Sequence, residues 1–178
     1  MTCRDLLLLC VLASSCATTT TPLRGLYQET LDTPWQQAQY VATTREGCEP
    51  GLEVLAARAA ALKLPITLAE MDRNTVGRFY HEERRIEINA LLGSCSRLEV
   101  LAHELGHALA PPQLAGSQDG QVFADGVSYL AVQQLGGYSP RAVYATYLAG
   151  RKFSVPTLLI YERDIERAAD WLVHGGAR

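Results

Sequence analysis

The sequence predicts an α+β fold: helices, a small antiparallel sheet, a helix that carries two histidines, then more helices. Three observations predict it. Apolar residues recur at helical spacing over several long windows. Two short runs with strand character, 76–80 and 85–89, flank a polar turn. The strand segments fall together between helical ones, the order of an α+β domain with one continuous core.

Each element has a local reason. Residues 34–44 read as a helix, with Asp32 or Thr33 as cap and Pro34 in the first turn. Residues 47–51 break it. Residues 52–64 form an Ala/Leu-rich helix that Pro65 ends. Residues 66–71 read as a strand, and 76–80 with 85–89 as a hairpin across 81–84. Over 96–110, Leu98, Leu101, Leu105 and Ala108 or Leu109 make one apolar stripe, while Val100, His103, Glu104 and His107 lie on a different face. Ser94 or Ser96 can cap this helix, and Pro111 with Pro112 stops it. A polar loop, 113–120, leads to helices at 121–135, 140–149 and 156–173, with Gly136 and Gly137 closing the first.

A chain of 178 residues suits one domain with a real core. Net charge is −3, and no basic run suggests nucleic acid. The N-terminus reads as export machinery. Residues 6–12 are an apolar run of signal-peptide length, followed by small residues and Cys16. The stretch around Cys16 resembles the lipobox of bacterial lipoproteins, with Ala13 where that pattern prefers Leu. The expected division is a signal peptide at 1–15, a lipid-anchored tether at 16–33 that starts with a Thr-rich tract, and a domain at 34–178. Lipidation of Cys16 would anchor the protein to a membrane of the cell envelope; cleavage after Ala17 would instead give a secreted protein. Cys3, Cys10 and Cys16 fall in the signal region, which leaves Cys48 and Cys95. In an oxidising compartment this pair is a candidate disulfide, tying the N-terminal part to the start of the histidine helix; two buried thiols are the alternative.

The run His103-Glu104-Leu105-Gly106-His107 carries the chemistry. Residues four apart share a helix face, so both imidazoles can grip one Zn²⁺. Glu104 can then take a proton from a zinc-bound water as general base. Only four histidines exist in the chain, and two of them sit here, in an otherwise apolar helix. A third protein ligand is expected. The chain lacks the third histidine of the H-E-x-x-H-x-x-G-x-x-H pattern, since Ala110 and Gln113 stand at its Gly and His positions.

Beyond the motif the chain resembles the zincin-like metallopeptidase domains, above all the C-terminal domain of plasmid antirestriction proteins and the ImmA/IrrE-type peptidases. The hairpin ending Ile86-Glu87-Ile88-Asn89, then the motif followed by Ala108-Leu109, then Ala124-Asp125-Gly126-Val127-Ser128-Tyr129-Leu130 carry the likeness. Tyr147-Leu148-Ala149-Gly150 and Ala168-Ala169-Asp170-Trp171-Leu172 extend it, so that it spans residues 66–173. The resemblance implies a minimal zincin-like domain with the motif on a central helix. It also implies an acidic ligand from the next helix. The family carries two acids four apart there, and this chain has Gln121 at the first position and Asp125 at the second. Asp125 is therefore the expected third metal ligand, with Asp119, Gln121 and His81 as the other candidates. Asp125 can alternatively orient His103 or His107 by hydrogen bond.

Tyr129, Tyr144 and Tyr147 are candidates for donating to an oxyanion, or core residues with satisfied hydroxyls. The expected function is a zinc peptidase of the bacterial cell envelope acting on a peptide or protein. The alternative is a catalytically inactive scaffold of the same fold that serves binding or structure.

Overall fold

The computed structural model describes residues 21–33, 45–72, 75–151 and 154–176. The expected signal region, Cys16 and the helix expected at 34–44 lie outside them. Among the described residues the fold is α+β, with seven α-helices and a three-stranded sheet. No helix among them is long and apolar enough to cross a membrane.

The chain enters through α1 (Pro22–Asp32). This corrects the expectation of a tether at 16–33. Thr21 caps α1 by accepting from the Arg24 N–H, and Pro22 occupies the first turn, where its missing N–H costs nothing. Leu23, Leu26 and Thr30 face inward, and the two leucines are fully buried. Each contributes about 1.5–3 kcal/mol through apolar burial, so 22–32 is part of the domain. Thr21 also donates to Glu162 at 2.5 Å, which pins the start of α1 to the far end of the chain.

Helix α2 (Glu49–Ala61) ends before Pro65, and Leu55 and Ala59 enter the core. Strands β1 (Ile66–Ala69), β2 (Gly77–Tyr80) and β3 (Arg85–Asn89) follow. The expected antiparallel sheet is instead mixed. Strand β3 is central, antiparallel to β2 through the hairpin and parallel to β1, with Ile66 opposite Ile86. Alternation decides which face a strand residue shows and says nothing about which strand lies beside it. Ile86 and Ile88 of β3 are buried, whereas Leu68 on edge strand β1 is half exposed.

Helix α3 (Ser94–Leu109) carries the motif and packs on α2, β2, β3, α4 (Gln118–Leu135) and α7 (Glu162–His174). Its stripe behaves as expected: Leu98, Leu101 and Leu105 are buried. Its cap does not. Gly93 stands at the N-cap with no side-chain bond, and the free amide of Ser94 donates to the Glu46 carboxylate at 2.8 Å. The segment 45–48 therefore caps α3 from outside it. Cys95 N–H donates to the Arg45 carbonyl, and Cys48 is bonded to Cys95, their Cα atoms 4.8 Å apart. The expected disulfide is present.

After the stop at Pro111 the chain makes a 3-10 turn (Pro112–Leu114) and enters α4 under a Ser117 cap. Helix α5 (Arg141–Ala149) follows. The single helix expected over 156–173 is two, α6 (Thr157–Ile160) and α7, broken at Tyr161, whose ring packs edge-on against Phe123.

Two glycines set how closely neighbours approach α3. A Cβ at Gly106 would stand 2.8 Å from the Ala124 Cα, so only glycine lets α3 and α4 cross here. A Cβ at Gly77 would stand 2.3 Å from Val100 Cγ1, so β2 lies directly on the motif's face. These two contacts bring Asp125 from one side and the β2–β3 turn from the other to the same histidines.

Candidate metal centre

His103 and His107 stand one turn apart near the C-terminal end of α3. Their Nε2 atoms are 3.0 Å apart. That end of a helix carries negative partial charge, which favours a cation. His103 Nδ1–H donates to Asp125 Oδ1 at 2.9 Å. This fixes the ring and turns the Nε2 lone pair toward His107. Gln121 lines the same cavity as both rings. Two imidazole nitrogens so converged suit two positions of a zinc site, since nitrogens each about 2.0–2.1 Å from one Zn²⁺ at tetrahedral angles sit about 3.3 Å apart.

The electrostatics of the two rings differ. Burial pushes His103 down, but the charge and hydrogen bond of Asp125 outweigh it and hold the group above its ordinary value. His107 is driven down to about 3, by burial first and then by the charges of His103 and His81. Burial raises the Glu104 carboxyl, against the opposing pull of His103 and a Phe79 N–H bond. Glu104 is thus a buried, proton-hungry carboxylate on the motif's face.

Asp125 is hydrogen-bonded to His103, the alternative role expected for it. Its second oxygen, Oδ2, accepts from Arg151 Nη1 at 2.9 Å, so both oxygens are engaged. The reason is the tight crossing at Gly106, which sets Asp125 against the Nδ1 edge of His103, away from the Nε2 pair. The geometry is that of an orienting acid. Asp119 is exposed in the first turn of α4 and does not line the cavity; Gln121 does. His81 begins the β2–β3 turn with its ring 6.4 Å from that of His107, centre to centre. Among the described residues no three His, Cys, Asp or Glu side chains stand where one ion could reach all of them.

The tyrosines separate. Tyr129 is fully buried and accepts from Arg141 Nε. Tyr144 shares a 2.6 Å hydrogen bond with Ser128. Tyr147 lines the cavity and accepts from Arg151 Nη2 at 2.9 Å, which leaves its own proton free. Burial, followed by the Asp125 charge, raises its pKa.

Sequence reasoning missed Arg151, which ties Asp125 to Tyr147. No spacing rule points to it, because the three meet only through the packing of α4 and α5. It also missed Glu46. The site opens into a cavity of about 830 Å³, whose walls include Val76, Phe79, Val100, Ala142, Val143 and Tyr144. Comparison of the chain with protein-family models, curated proteins and solved structures finds no match.

Proposed function

We propose that this chain is a zinc peptidase of minimal zincin-like fold, exported to the cell envelope through a lipid-modified Cys16. The observation that carries the reading is the paired Nε2 atoms of His103 and His107, 3.0 Å apart, with the buried Glu104 beside them in one cavity. Zinc held by the two imidazoles would supply Lewis acidity, lowering the pKa of a water toward neutrality and polarising a carbonyl. Glu104 accepts the proton of the attacking water and returns it to the leaving amine; its raised pKa suits both transfers. Asp125 holds His103 in the tautomer that presents Nε2, and Arg151 neutralises Asp125 behind it. Tyr147, with its proton free, donates to the oxygen that gains charge. The apolar cavity wall suits an apolar side chain of a peptide. The Cys48–Cys95 bond supports export, since such bonds persist in oxidising compartments.

The second reading is an inactive scaffold. What favours it is that no three metal-binding side chains converge among the described residues. Two measurements decide. The mature domain should bind about one Zn²⁺, and His103→Ala/His107→Ala should bind none. Against an unbiased peptide library, Glu104→Gln should keep zinc and lose roughly 10²–10⁴-fold in turnover. Zinc retained by the double variant would refute the site, and no cleavage by the zinc-loaded wild type would establish the scaffold. A mature N-terminus other than lipid-bearing Cys16, read by mass spectrometry, would refute the anchor.

A further inference from the structure

Zinc in a catalytic site is usually held by three protein side chains, and α3 supplies two. The cavity wall offers five further candidates, Glu99, Glu104, Gln121, Asp125 and His81, and Gln121, a neutral amide, is a poor ligand for zinc. Asp125 has both oxygens engaged, one by His103 and one by Arg151. Glu99 accepts from the Tyr138 hydroxyl. Glu104 follows the first histidine directly in sequence, the position of the general base in this motif. That leaves His81.

We infer that His81, on the β2–β3 turn, is the third metal ligand and swings onto the ion when the ion binds. The inference rests on the zinc reading of His103 and His107. Three observations support it. His81 lines the same cavity and faces His107, ring to ring, at 6.4 Å. The ring centres of His103 and His107 are 4.7 Å apart, so a movement of about 2 Å would bring His81 to a like separation. The residue is exposed and stands in a four-residue turn, so the movement disrupts no core packing. Its ring rests edge-on against Phe79 at 4.6 Å, which holds it at the cavity mouth. Gly77 makes this placement possible, because β2 could not otherwise lie on Val100. The third ligand thus comes from the hairpin before the motif helix, and the acid after it serves as support.

Cobalt titration of the metal-free mature domain tests this, since Co²⁺ in such a site absorbs in the visible with a pattern set by its ligands. Wild type and His174→Ala should take about one equivalent with the same spectrum; His174 is an exposed residue outside the cavity. His81→Ala should change the spectrum. It should also weaken Co²⁺ and Zn²⁺ by more than the roughly 10–100-fold that loss of an outer hydrogen-bond partner costs. Wild-type spectrum and affinity in His81→Ala would overturn the inference and leave the zinc reading standing. Weaker binding with an unchanged spectrum would overturn it too, assigning His81 to hydrogen bonding. A wild type that takes neither metal would overturn both.

Discussion

At its N-terminal end α3 is held by the segment 45–48, through the Cys48–Cys95 bond, the Glu46 carboxylate on the Ser94 amide and the Arg45 carbonyl on the Cys95 amide. At its C-terminal end, two imidazoles bring their Nε2 atoms within 3.0 Å, and His103 is supported from behind by Asp125. One end is closed by a covalent bond and by hydrogen bonds from outside the helix. The other turns two imidazole nitrogens toward each other at the wall of a cavity. A helix fixed at one end can keep reactive groups poised at the other, because the rigid rod carries the constraint along its length.

If the two ends do separate work, they should break separately. The largest effect is expected at the first. Reducing the disulfide, which spans 47 residues in sequence, should lower unfolding free energy by about 2–4 kcal/mol. Zinc affinity of the still-folded chain should hold. Denaturant melts and zinc titrations on the same sample check this, and a parallel loss of affinity would show that the ends are coupled.

The next effect belongs to the second end. Asp125→Asn removes the charge that orients His103 and should weaken zinc by about 10–100-fold. Arg151→Met should lower the stability of the fold, because it leaves Asp125 buried without its guanidinium partner. Unchanged zinc affinity in Asp125→Asn would remove Asp125 from the support of the site.

The smallest effect is a pH dependence at the first end. The Ser94 hydrogen bonds hold the Glu46 carboxyl below its ordinary value of 4.5. A depressed carboxylate stabilises the fold fully above its unfolded value, and the contribution fades as pH falls through the lower folded value. Wild type should therefore lose part of its thermal margin over Glu46→Gln only below about pH 4.5. Melting curves that stay parallel from about pH 6 to about pH 3 would deny Glu46 its capping role.

How far the molecule could be read from its residues follows the same division. Local signals carried well. The spacing of Leu98, Leu101 and Leu105, the stop at Pro111, the β2–β3 hairpin and the pairing of Cys48 with Cys95 all appear as expected. What failed depends on which elements become neighbours. The parallel β1–β3 pairing, the cap from Glu46 and the engagement of Asp125 by Arg151 each join segments far apart in the chain. One local signal was misread: Thr21 before Pro22 is a helix start. Gly106 shows the limit from the other side. The motif permits any residue there, and only the approach of Ala124 reveals why glycine stands at that position.

Because β1 pairs with β3 while β2 lies between them in the chain, the sheet cannot be completed in the order in which it is synthesised. When Ala69 leaves the ribosome, β1 has no partner strand, and it has none until Asn89 follows. At the usual pace of about 5–20 residues per second this interval lasts roughly 1–4 s, longer by orders of magnitude than the roughly 1–10 μs in which a hairpin closes. For that interval the nascent chain displays Ile66 and Leu68 on an open backbone edge, a hazard that vectorial synthesis imposes on this topology and that refolding from the full-length chain does not.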